Sequence, residues 1–211
     1  MATSPQIVIV GAGGHGKVVL DIVRAAGRYK PVGFVDADER ARDVGGLPVL
    51  GDIRALPKLA ANGVTGCIIA IGGGHVRRSY AEEARDANLE LVNAVHPAAN
   101  VSPTATLGVN VVVAAGATVC TEATLADSVI VNTNAVVDHE CRVDVAAHIA
   151  PGALLAGRVT VGVEAFVGMG AKVIQCLSIG ERATVGAGAV VVHDVPAGVT
   201  VLGVPARRKS Q

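Results

Sequence analysis

From Val101 to Pro196 the chain advances in sixteen consecutive six-residue units, from VSPTAT, LGVNVV and VAAGAT through to VGAGAV and VVHDVP, with no insertion between them. The first position is always Val, Leu or Ile, the fifth is Ala, Val, Cys or Leu, and glycines recur at the second and fourth. A period of six matches neither a helix nor a simple alternating strand, but it suits short strands joined by regular corners. Glycine belongs where such corners need unusual backbone angles or close approach. The composition agrees: with 51% hydrophobic residues but only two Phe, two Tyr and no Trp, the core must be built from small and β-branched side chains.

This signature resembles the left-handed parallel β-helix, in which three units make one coil, so sixteen units give five coils and a third. The left hand is implied by the resemblance alone, because crossovers between parallel strands are otherwise right-handed.

Residues 1 to 96 follow other periods. IVIV at 7 to 10 reads as a buried strand, GAGGHG at 11 to 16 as a glycine turn, and Lys17 to Ala26 as a helix closed by Gly27. Strands are predicted at 32 to 35, 67 to 71 and 90 to 95, with helices over Asp52 to Leu59 and His75 to Ala87. This alternation predicts a Rossmann-like α/β domain with a parallel sheet over 1 to 96, followed over 97 to 211 by the all-β solenoid and a C-terminal tail.

Gly11-x-Gly13-x-x-Gly16, between a strand and a helix and with Asp36 twenty residues further on, satisfies the dinucleotide fingerprint. Its glycines let the backbone approach a phosphate, and the helix N-terminus offers unpaired N–H groups. A second cluster, Gly72-Gly73-Gly74-His75, also follows a strand and precedes a helix. Two such loops at one sheet edge make one crevice, for which a nucleotide-diphosphate ligand is expected, with Gly11, Gly13, Gly14, His15, Asp36, Gly72 and Gly73 around it. The half is too short for both mononucleotide units of an NAD site.

Eighteen basic residues balance eighteen acidic ones, so no cationic excess is present to neutralise a nucleic-acid backbone. Met1 to Gln6 lacks the charged region of a secretory signal, and no apolar run is long enough to span a bilayer. Cysteines at 67, 120, 141 and 176 form no paired or metal-binding pattern, which fits a reducing, cytoplasmic setting.

Polar exceptions in the apolar lattice stand at VVDHECRVDVAAHIAPGA, residues 136 to 153. His139 takes a third position and His148 a sixth, neither of them an inward one. His193 reads as a solvated surface residue, whereas His139 is flanked by Asp138 and Glu140, with Asn132 and Asn134 one unit earlier. A histidine oriented by a carboxylate can take a proton from an amine or hydroxyl as that group attacks a carbonyl. A covalent route would need an exposed nucleophile, and Cys141 occupies an inward fifth position, so direct transfer is expected.

The glycine-rich αβ half, the junction VNAVHPAANVSPTATLGVN, the hexads and NTNAVVDHEC together resemble the bacterial nucleotide-sugar acetyltransferases of the hexapeptide-repeat superfamily. Within it, the similar group comprises bacillosamine and perosamine N-acetyltransferases together with sialic acid O-acetyltransferases. The resemblance implies His139 as general base with Glu140 as its partner, His148 near the acetyl group and coenzyme A, and a Gly157 N–H that polarises the thioester carbonyl. It implies Asn132 beside the sugar, the nucleotide against the glycine loops, acetyl-CoA as co-substrate, no metal, and a homotrimer with active sites between subunits. The expected role is N-acetylation of a UDP- or GDP-linked 4-amino sugar for surface polysaccharide or glycan synthesis. O-acetylation of a sialic acid, and a nucleotide-sugar-binding scaffold without catalysis, stand as alternatives. A zinc site of the kind found in β-helix carbonic anhydrases is not expected, because the solenoid histidines fall at 139, 148 and 193.

Overall fold

The structure, a computed structural model, describes residues 4–38 and 43–209. The chain divides into two compact units, Met1–Pro97 and Ala98–Gln211.

In the first unit the strands are β1 (Gln6–Val10), β2 (Lys30–Val35), a hairpin of β3 (Asp43–Val44) and β4 (Leu47–Pro48), β5 (Gly66–Ile69) and β6 (Glu90–Leu91). The helices are α1 (Gly14–Ala26), α2 (Leu56–Ala61), which continues a short turn at Ile53–Ala55, and α3 (Gly74–Asp86). A parallel sheet in the order β2-β1-β5-β6 forms the centre. Because side chains alternate along a strand, β1 feeds both faces. Val8 and Val10 join Leu56 of α2 and Ala81 and Ala84 of α3 in one cluster. Ile7 and Ile9 are equally buried, and α1 packs on β1 and β2.

Two expectations shift here. The first helix starts at Gly14 rather than Lys17, so part of the glycine turn is already its first turn, where backbone N–H groups need no partner within the helix. The strand expected at 90 to 95 is interrupted, with Ala94–Val95 a separate short strand. The helix does end as read: Gly27 takes the left-handed conformation at φ 64° and its N–H donates to Val23 O at 3.1 Å.

The second unit is a parallel β-solenoid of about six turns, a left-handed β-helix, with two-residue strands stacked in three sheets. Successive strands of a sheet pair at an offset of eighteen residues, as in Thr118 with Val136, His148 with Phe166 and Leu154 with Lys172. Every first-position side chain from Val113 to Val191 is buried, as is every fifth-position one from Val111 to Ala189 except Leu177. The fourth position is the corner. From Asn110 to Gly188 it is always left-handed, with φ between 53° and 69°, whether glycine or not. Glycine is therefore favoured there without being required, and the stacked corners hold Glu140, Ala146 and Arg158 in a conformation that L-residues adopt reluctantly.

The lattice corrects the reading of the final unit. Ile179 bridges Val195 and Thr184 pairs with Thr200, sixteen residues on rather than eighteen. VVHD is thus a four-residue unit, and the hexads resume at Val195 as VPAGVT, with Gly198 at the left-handed corner, φ 68°. The short corner holds because a side chain replaces a backbone acceptor: Ser178 N–H donates to Asp194 Oδ1 at 2.8 Å, where one coil earlier Thr160 N–H donates to Leu177 O. Arg207–Arg208 of the tail then folds back antiparallel to Thr200–Leu202.

Candidate active site

The two glycine loops follow β1 and β5, neighbours in the sheet, so both open at its C-terminal edge. Between them lies a cavity of about 450 Å³ lined by Gly11, Gly13, Gly14, His15, Asp36 and Gly72, with Val10, Val35, Ile53, Ile71 and Tyr80 among its apolar walls. The fingerprint glycines divide by duty. Gly11 has φ 107° and no room for a Cβ, which would lie 2.7 Å from Ala70 O. Gly16 is equally confined, since a Cβ there would overlap Gly11 O. Gly13, Gly14, Gly72 and Gly73 face open space, and none has a φ that demands glycine. Packing therefore leaves these four free to be anything small, and their absent Cβ atoms keep backbone N–H groups accessible to a ligand.

Asp36 serves the loop as well as the cavity. Its Oδ2 accepts from Ala12 N–H at 2.6 Å and its Oδ1 from Asp38 N–H at 2.8 Å, leaving second lone pairs for a hydroxyl of a ligand. His15 lies in the wall, its pKa lowered from 6.5 to about 4 by burial first and by the nearby Arg77 guanidinium second. It is neutral at pH 7. On acidification from 6.5 towards 4 the unfolded chain binds a proton before the folded one does, so stability falls across that window. The full loss is on the order of 3 kcal/mol. Urea denaturation at pH 7, 5.5 and 4.5 should show this slope, and His15→Asn should flatten it.

Arg77 carries no sequence motif, yet it is wholly buried. Its Nη1 donates to Ile71 O at 2.6 Å and to Gly72 O at 2.8 Å. A signal was present: Arg77, Ala81 and Ala84 are the buried residues of α3, so a cation occupies the apolar stripe at i, i+4 and i+7. Ile53 and Tyr80 also line the cavity without a motif to announce them.

In the solenoid, His139 and Glu140 form one corner between the strands Val136–Val137 and Arg142–Val143. The left-handed backbone of Glu140, φ 57°, belongs to that corner, and its Oε2 lies 2.9 Å from His139 Nδ1. A carboxylate only accepts, so Nδ1 carries a proton, and in the neutral ring the lone pair is on Nε2. Asp138 is directed elsewhere: its Oδ1 accepts from the His139 backbone N–H at 2.7 Å. Arg158, at the same corner one coil on, donates its N–H to His139 O at 2.9 Å and brings Nε to 3.9 Å from Glu140 Oε2. Both members of the His139–Glu140 pair are about half exposed, at 43% and 48%. Gly157 stacks directly against the imidazole, and a Cβ there would intrude on Nε2 and Cε1.

His148 and Asn132 form a second polar pair. Asn132 Nδ2 lies 3.1 Å from His148 Nε2, and the His148 ring meets Phe166 edge-on at 5.2 Å between centroids. This pair belongs to the sheet containing Ile130–Val131 and His148–Ile149, whereas His139 sits at the corner joining the other two sheets. One prism thus holds its two site histidines on different sides. Cys141 is buried and its thiol is pushed up to about 11, chiefly by burial, so it supplies no nucleophile. Among the described residues no three His, Cys, Asp or Glu side chains gather as a metal site requires, and no helix is long and apolar enough to cross a membrane.

A glycine-lined crevice on a parallel sheet and a carboxylate-held histidine on a hexapeptide solenoid are thus carried by one chain. Residues 6–84 match the family described as the PglD N-terminal domain. The perosamine N-acetyltransferase PerB of Caulobacter crescentus, solved with CoA and GDP-perosamine, is 45% identical over 99% of both chains, with a TM-score of 0.94. The acetyltransferase domain of PglB from Neisseria gonorrhoeae, solved with acetyl coenzyme A, is 40% identical over 98% of this chain and 100% of that one, with a TM-score of 0.91. UDP-N-acetylbacillosamine N-acetyltransferase of Bacillus subtilis is 34% identical over 113 residues, an alignment spanning about half of each protein. The chain belongs to the hexapeptide-repeat family of nucleotide-sugar acetyltransferases.

Proposed function

We propose that this protein transfers the acetyl group of acetyl-CoA to the amino group of a nucleotide-linked 4-amino sugar, directly and without an acyl-enzyme. The observation that carries the reading is the His139–Glu140 pair, which leaves Nε2 as a base on a half-exposed corner. As the sugar nitrogen attacks the thioester carbonyl, His139 Nε2 takes its proton and Glu140 stabilises the imidazolium. The Gly157 N–H faces the developing oxyanion. Collapse of the tetrahedral intermediate breaks the C–S bond, and the imidazolium returns the proton to the coenzyme A thiolate. The nucleotide lies in the cavity of the first unit, with Gly13, Gly14, Gly72 and Gly73 against its phosphates, Asp36 and His15 in the wall, and the apolar side chains beside the base.

His148 and Asn132 complete the site from another copy of the chain. The separation of the two histidines around one prism supports a homotrimer whose sites lie between neighbouring solenoids. Outward-facing Leu154, Phe166, Met169 and Ile174 offer apolar surface for such contacts. Light scattering on the purified protein should give three times the chain mass, and a monomer would remove the shared site. Four free thiols fit a cytoplasmic enzyme.

The reaction is tested by following thiol release from acetyl-CoA with GDP-, UDP- and dTDP-linked 4-amino sugars and free sialic acid. GDP-perosamine heads the panel, because the solved relative bound to it matches nearly the whole chain. Rapid release with one nucleotide-linked amino sugar is expected. Release with sialic acid alone would replace the reading by O-acetylation, and nucleotide-sugar binding without any release would leave a scaffold.

A further inference from the structure

We infer that Arg77 is a positioning residue for diphosphate binding, holding the second glycine loop with its N–H groups towards the cavity and placing a fixed positive charge behind it. The inference rests on the nucleotide-sugar reading above and specifies how that pocket recognises its anion.

In a trans peptide the N–H points opposite the preceding C=O. Arg77 draws the Ile71 and Gly72 carbonyls towards its guanidinium, at 2.6 and 2.8 Å. The N–H groups of Gly72 and Gly73 belong to those same two peptides and so point the other way. Gly72 lines the cavity, and at both glycines a Cβ would meet nothing within 4 Å.

A guanidinium stays protonated in a protein, and burying it is costly. Arg77 is nonetheless 0% exposed. A permanent cation behind the loop is useful if an anion sits in front of it. Among the described lining residues none is Lys or Arg, and the carboxylate present, Asp36, already accepts backbone N–H groups. His15 adds no charge, since burial and, secondarily, Arg77 keep it neutral. Diphosphate recognition then falls to the glycine N–H groups, the N-terminal ends of α1 and α3, and the field of Arg77 at low effective dielectric.

The test compares GDP with guanosine by isothermal titration of the full-length protein and its Arg77→Gln and Arg77→Lys variants. The ratio of the two affinities isolates the phosphate contribution, which a merely structural role would not alter. Arg77→Gln is expected to weaken GDP by roughly tenfold or more while changing guanosine by less than about threefold. Arg77→Lys, which keeps the charge and loses the two-carbonyl clamp, should retain more of the GDP preference than Gln. Equal weakening of GDP and guanosine would overturn the role of Arg77 and leave the pocket assignment standing, whereas a wild-type protein that binds neither GDP nor UDP would overturn the pocket itself. Should the variants not fold, ¹⁵N resonances of the Arg77 guanidinium in the wild-type protein decide: they should shift with GDP and not with guanosine, and equal shifts would refute the inference.

Discussion

Replacing His139 with asparagine is expected to lower kcat by about 10²-fold to 10⁴-fold, the range that a general base contributes. Asparagine retains polar character of similar reach but has no lone pair able to hold a proton at neutral pH. The side chain is 43% exposed and its ring bonds to Glu140, itself 48% exposed, so the core is untouched and the melting midpoint should hardly change. The KM for the nucleotide sugar should also stay within a few-fold, because the cavity of the first unit is lined by other residues. Initial-rate kinetics with a nucleotide-linked amino sugar, read beside thermal denaturation, make the check. A kcat within threefold of wild type would remove His139 from the chemistry.

Gly157→Ala is the second large effect, and it reaches the reaction through the same ring. A Cβ at this position would lie inside the contact distance of Nε2 and Cε1, so the imidazole must swing away from its present position over the coil. Misplacing a reacting group by about 1 Å can cost on the order of 10²-fold, and a loss of this size in kcat is expected. The backbone itself accepts alanine, because Gly157 is not left-handed. Other coils carry Thr121 and Gln175 at the corresponding third position. Fold and sugar binding should therefore survive. The decisive comparison is the double variant His139→Asn with Gly157→Ala. If Gly157 acts by seating the ring, the double variant should be no slower than His139→Asn alone. A further drop would indicate a separate contribution, as expected if the Gly157 N–H also holds the oxyanion.

Much of the fold was legible because its rules are local. First- and fifth-position residues face inward wherever strands are two residues long and corners recur every six, and Val113 to Val191 obey this with the exception of Leu177. The fingerprint was legible for a similar reason: Gly11, Gly13 and Gly16 follow a strand at spacings fixed by one turn and one helix start, and they line or shape the cavity as such spacings require. The pairing of His139 with Glu140 joins adjacent residues, so sequence could suggest it, and the 2.9 Å contact gives it a tautomer.

What escaped the sequence depends on partners distant along the chain. The four-residue unit VVHD looks like part of a hexad until Asp194 is seen to accept the Ser178 N–H, which shortens one corner and moves Val195 into register with Ile179. Arg77 looks like one more helix cation until α3 is turned against the sheet, where its guanidinium meets the Ile71 and Gly72 carbonyls. His139 and His148, nine residues apart, look like neighbours until the coil carries them to different sides of the prism. The sequence by itself determined the lattice, the glycine turns and the pairing of a histidine with the carboxylate beside it, because periodicity and backbone sterics act over a few residues. Only the tertiary structure decided which charges are buried, where the lattice contracts and which polar groups share a face, because those outcomes are set by hydrogen bonds and packing between segments far apart in the chain.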